Sequence, residues 1–121
     1  MLFRSVLCSD DVPGRYAFTN PRLYKGEFEP EIVVAVDVAS VQLFGENNGM
    51  PQFSRHVDLC IDHHAGNSGY AEYTLLDGHA AAAAELLYDV ICAMDVDLTA
   101  DRKSTRLNSS HSSQSRMPSS A

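Results

Sequence analysis

The chain has 121 residues, 45% of them hydrophobic, and a formal net charge of −7 from 16 acidic and 9 basic side chains. That is one small domain at most, apolar enough to fold around a core. The negative balance argues against a surface that coats duplex nucleic acid, where affinity comes from neutralising phosphates. It leaves room for a metal-dependent site, because a cation held by carboxylates reverses the local sign.

The opening MLFRSVLC is too short for a secretory signal, and no run reaches membrane-spanning length. Cys8, Cys60 and Cys92 are widely spaced and form neither a zinc knuckle nor a Cys-x-x-Cys pair. The expectation is a cytoplasmic protein with reduced cysteines, Cys60 and Cys92 in the core.

In chain order, Leu2 to Cys8 reads as a short strand and Ser9 to Asp11 as a polar turn. A helical turn is predicted from Pro13, where the missing N–H costs little, with Tyr16 and Phe18 packing it down. Pro21, Gly26 and Pro30 break the next stretch into loop. Ile32 to Val36 is continuously apolar, as in a parallel strand covered on both faces, and ends on Asp37.

VQLFG suggests one helical turn, ENNGMPQF a loop or ragged helix, and VDLCI a strand ending on Asp62. Gly69 to Leu76 reads as a further strand. A helix is expected after Asp77 as N-cap, with Ala80, Ala84, Leu87, Ile91 and Met94 on its apolar face. Strand and helix alternation with solid apolar strands points to an α/β fold around a parallel sheet.

Composition changes near Ala100. Residues 1–100 hold five basic and fifteen acidic residues, whereas 101–121 hold four basic, one acidic and eight serines. A disordered polar tail is the plain reading. DRKSTRLNSSH and SRMPSSA also match the translation of two constant blocks of a common short-read sequencing adapter, flanking three variable codons at Ser112, Ser113 and Gln114. On that reading 101–121 is read-through, His111 carries no function, and the natural protein continues past Ala100. Other codons across this stretch of the source DNA would refute it.

Asp37 and Asp62 occupy matching places, each at the carboxyl end of an apolar strand, and ligands of open α/β sheets bind just outside those ends. If the strands are neighbours, Asp37, Asp62, His63 and His64 converge. Carboxylate oxygen with imidazole nitrogen suits Mn²⁺, Fe²⁺ or Zn²⁺. His56 and His79 read as solvated loop residues, and Asp10 and Asp11 as turn formers.

The blocks IVVAVDVAS, VDLCIDHHAGN and AAAAAELLYDV, in this order and spacing, resemble the DHH phosphoesterase superfamily over roughly residues 1–100. The resemblance is greatest to its bacterial bifunctional oligoribonuclease/pAp-phosphatase (nanoRNase) branch. It implies part of a parallel-sheet DHH domain with flanking helices. The implied activity is hydrolysis of short oligoribonucleotides or pAp to nucleoside monophosphates with two divalent ions, typically Mn²⁺ or else Mg²⁺. Short RNA or a nucleotide is the implied partner, with no duplex nucleic acid and no membrane.

The resemblance makes Asp37 the acid that bridges both metals and His63 a metal ligand. It turns His64 and Asn67 toward the substrate phosphate and sets Asp62 behind the histidines as their support. It places a first motif, a His followed by Asp-x-Asp, before residue 1, and a fourth motif and a substrate-binding domain after Ala100. The chain then carries only part of the site. Other members of the superfamily (exopolyphosphatase or pyrophosphatase, cyclic-dinucleotide phosphodiesterase, single-strand exonuclease) and a non-catalytic α/β binding module stay open as alternatives.

Overall fold

The structure, a computed structural model, describes residues 4–95. The Asp101–Ala121 segment and the first residues of the expected N-terminal strand lie outside the described residues. Three strands, β1 (Val34–Val36), β2 (Leu59–Asp62) and β3 (Tyr73–Leu76), form a parallel sheet in the order β1-β2-β3. Val34, Ala35 and Val36 pair with Leu59, Cys60 and Ile61, while Leu59 to Asp62 pair with Tyr73 to Leu76. Two helices complete the frame: the short α1 (Met50–Ser54) and α2 (Ala83–Ala93). With 3-10 turns at Gly14–Thr19 and Val41–Phe44, the architecture is a small α/β unit.

The core lies on both sides of β2, because successive side chains of a strand point to opposite faces. On one face Ile61 packs with Ala80 and Leu86, joined by Leu59, Leu87 and Val90. On the other, Cys60 packs with Ala35 and Val57, joined by Phe44 and Tyr70. Alanines at 80, 82 and 83 are buried, and their small size brings the start of α2 close to the sheet.

Several expectations need correction. Ile32–Val36 is not covered on both faces. Only Val34–Val36 pair, Ala35 is buried, and Val34 and Val36 remain 47% and 39% exposed. The cause is position: β1 is an edge strand, and α2 sits over β2. Of Leu2–Cys8, the described part contributes a single parallel bridge, Val6 with Leu23. Gly69 to Glu72 are not strand, since Gly69 adopts φ +68° and Tyr70 turns its ring inward against Phe44. Tyr16 and Phe18 do not pack the first turn down. Phe18 is 78% exposed, and Arg15 lies over the Tyr16 ring.

Asp77 does not cap α2. Its Oδ1 accepts the His79 N–H at 2.9 Å in a local turn, and the helix begins after Ala82, which is extended at φ −155°. Alanine propensity alone continues the helix back through residue 80; packing of Ala80 against Ile61, with a bend at residues 80 and 81 and an extended Ala82, overrides it. Of the predicted face, Ala80 and Leu87 pack on the core as expected; the buried helical residues are Ala83 and Leu86, with Val90 partly buried beside them, and Met94 is exposed. Cys60 is a core residue as expected, but Cys92 is exposed. Glu85 stands in the first turn of α2, where a negative charge meets the positive end of the helix dipole.

Candidate metal centre

β1 and β2 end side by side because Val36 pairs with Ile61. The next residue, Asp37, donates its N–H to the Ile61 carbonyl at 2.9 Å and turns out of the sheet with φ +63°. A non-glycine residue in the left-handed region costs energy, so its surroundings must hold it there. The turn brings Asp37 Oδ1 to 3.1 Å from His63 Nε2 and 3.7 Å from His64 Nδ1. Asp37, His63 and His64 each offer a donor atom, all within 4.8 Å of one another.

Asp62, the last residue of β2, is fully buried beneath this group. Its Oδ1 accepts the backbone N–H of His63 at 2.8 Å and of His64 at 3.3 Å, and His64 Nδ1–H at 2.6 Å. Its Oδ2 accepts from the Asn67 amide at 2.7 Å. Burial pushes this carboxyl up. The bonds from Asn67, the His64 ring and the two backbone amides outweigh burial and hold it below the usual carboxylate range. The ionised carboxylate is therefore spent on protein donors and orients the two histidines.

The tautomers follow from acceptor chemistry. His63 Nδ1 lies 3.2 Å from the Ala80 carbonyl, which can only accept, so Nδ1 carries the proton and Nε2 faces Asp37. His64 Nδ1 donates to Asp62, leaving its Nε2 free on a side chain that is 47% exposed. A neutral Nε2 and a carboxylate oxygen 3.1 Å apart are both acceptors. With the proton on Nδ1, the Nε2 lone pair and the Asp37 carboxylate face each other as two donors to a cation. One carboxylate and two imidazoles form a donor set that fits Mn²⁺, Fe²⁺ or Zn²⁺.

Asn67 lies in the same shell. Its Nδ2 also approaches Cys60 Sγ at 3.6 Å, and its Oδ1 accepts the Gly69 N–H at 2.8 Å. Its side chain thus ties the loop after the histidines to Asp62. Asp10 and Asp11 line a polar hollow with Ser9, Asn47 and Asn48, which does not include Asp37, His63 or His64. His79 is exposed.

Sequence reasoning missed one cluster. His56 Nε2 lies 3.0 Å from Asp58 Oδ1 and 3.6 Å from Glu72 Oε2, at the opposite end of the sheet. Positions 56 and 58 share one face of an extended segment, a period-two signal present in the sequence. Asp58 Oδ2 also accepts the Val33 N–H at 2.7 Å, tying the approach to β1 to that of β2. This bond, with the His56 ring, lowers the Asp58 carboxyl against the opposing effect of partial burial.

Asp58 and Asp62 predict an acid-sensitive fold. Both titrate lower folded than unfolded, so their contribution is complete above the ordinary aspartate range, about pH 4. It is lost as pH falls through their folded values. The thermal midpoint is expected to drop steeply below about pH 4, and Asp58→Asn is expected to flatten that drop. A midpoint constant from pH 6 to 3 would rule the linkage out.

Among the described residues no helix is long and apolar enough to cross a membrane. No family model matches the chain, and no curated protein matches it.

Proposed function

We propose that this chain carries part of the active site of a divalent-metal-dependent phosphoesterase of the DHH type, acting on short oligoribonucleotides or pAp. The observation that carries this reading is the convergence of Asp37, His63 and His64 at the carboxyl ends of adjacent parallel strands, above a buried and fully bonded Asp62. Sequence supplies the rest, in the DHH triplet and its spacing from Asp37.

Asp37 and His63 would hold divalent metal, Mn²⁺ or Mg²⁺. Bound there, a divalent cation supplies Lewis acidity toward a phosphoryl oxygen. His64 presents its free Nε2 to the substrate phosphate and, when protonated, stabilises charge that develops on it. Asn67 supports Asp62 through its amide and would offer its second amide N–H to the phosphate. Asp62 fixes the ring orientation and tautomer of His64.

The test is release of mononucleotide from a diribonucleotide by the protein translated from the contiguous gene. Cleavage is expected to require Mn²⁺ and to fall at least a hundredfold in His64→Ala, a loss of about 2.7 kcal/mol of transition-state stabilisation. The same variant should keep its Mn²⁺ affinity. Undiminished cleavage would remove His64 from the chemistry.

A non-catalytic metal-binding module is the second reading. The three-residue donor set favours it, since three side chains can hold an ion without the remaining parts of a phosphoesterase site.

A further inference from the structure

The Tyr70 hydroxyl donates to the Val38 carbonyl at 2.8 Å, the residue immediately after Asp37. Its ring is fixed edge-on against Phe44, with centroids 5.6 Å apart, within the Ala35, Val57 and Cys60 cluster. Two residues before Tyr70, Ser68 donates its N–H to the Ala39 carbonyl at 2.9 Å. The loop after the histidines is thereby fastened along residues 38 and 39. Asp37 is held from both sides, by its own N–H on Ile61 and by the Val38 carbonyl on Tyr70.

We infer that Tyr70 is a positioning residue for Asp37: its hydroxyl holds the backbone after Asp37 so that the carboxylate stays in its left-handed conformation, facing His63. An aspartate at φ +63° relaxes to right-handed or extended backbone when the chain that leaves it is not tied down, and the Val38 carbonyl is the tie one peptide further on. Either move swings the carboxylate off the imidazoles. Cys60 Sγ touches the same network, 3.4 Å from the Tyr70 oxygen and 3.6 Å from the Val38 carbonyl. A thiol makes only weak hydrogen bonds, so the phenol hydroxyl carries most of the hold. The inference rests on the proposed reading of Asp37 as a metal donor only where it concerns metal affinity.

Two measurements on the 121-residue chain separate these levels. The amide–α coupling constant and Cα chemical shift of Asp37 report its φ without metal, and Co²⁺ absorption titration reports the donor set. In Tyr70→Phe, which keeps the ring, Asp37 is expected to lose its left-handed signature while the amide spectrum of β2 and α2 is retained. Co²⁺ affinity is expected to fall roughly ten- to a hundredfold. Cys60→Ala is expected to keep both the Asp37 signature and the affinity.

An unchanged Asp37 signature in Tyr70→Phe overturns the inference, as does equal displacement of Asp37 in Cys60→Ala. Displacement of Asp37 in Tyr70→Phe alone, in a chain that gives no Co²⁺ band, supports the positioning role and refutes the metal reading.

Discussion

Asp62→Ala is expected to destabilise the fold by about 3 kcal/mol, a large share of the roughly 5–15 kcal/mol that holds a small domain together. Truncation strands two backbone amides, the His64 ring N–H and the Asn67 amide, all now bonded to a fully buried carboxylate. Asp62→Asn rescues only in part, because its one remaining oxygen can serve either the His63 and His64 donors or Asn67, and its NH2 then faces a donor on the other side. Urea unfolding reads the effect as a lowered midpoint at unchanged slope. A midpoint shift worth under about 0.5 kcal/mol would show that water replaces the carboxylate without penalty.

Asp37 predicts the opposite pairing of stability and function. Asp37→Gly is expected to raise the stability of the metal-free chain by about 0.5–1 kcal/mol, since glycine adopts φ +63° without the steric cost borne by aspartate. The exposed Asp37–His63 pair given up in exchange is worth little in water. Removing the carboxylate deletes one of the two proposed metal ligands, so Mn²⁺ affinity is expected to fall at least a hundredfold, about 2.7 kcal/mol. His63→Ala is expected to lose metal to the same extent. Calorimetric titration with Mn²⁺ and thermal unfolding without it, on the same samples, test both halves. Retained affinity in both variants would exclude this group as the metal centre. Lowered stability in Asp37→Gly would show that the left-handed turn carries no strain. A residue kept at a cost to the apo fold is what a ligand-binding position predicts.

The convergence of Asp37 with the Asp62–His63–His64 triplet was legible because it needed only two apolar runs of similar length, each ending on an acid, in a parallel sheet. Which faces of the sheet are covered was not. A run such as Ile32–Val36 is equally apolar in a central and an edge strand, and only the placement of α2 over β2 leaves Val34 and Val36 open. The start of α2 was misread for a related reason. Five alanines and a preceding aspartate satisfy every local helix rule, and contacts with residues some twenty positions earlier decide otherwise. The Tyr70–Val38 bond spans 32 positions and has no local signature. The His56–Asp58 pairing had one, in its alternation, and was legible in principle.

The lead-in to α2 has a further consequence. Its Ala80 carbonyl is the group that holds His63 Nδ1–H, while Ala80 itself packs on Ile61 beside Leu86. Helix docking and imidazole alignment therefore draw on one short segment. A ligand that needs His63 aligned binds only the docked form, and so tightens the hold of α2 on the sheet by the same free energy that docking lends to ligand binding. The helix is in this sense a lever on the site. Anything that lifts it, such as a substitution at Leu86, would release His63 from the Ala80 carbonyl and so weaken the proposed binding at Asp37 and His63 without touching either residue.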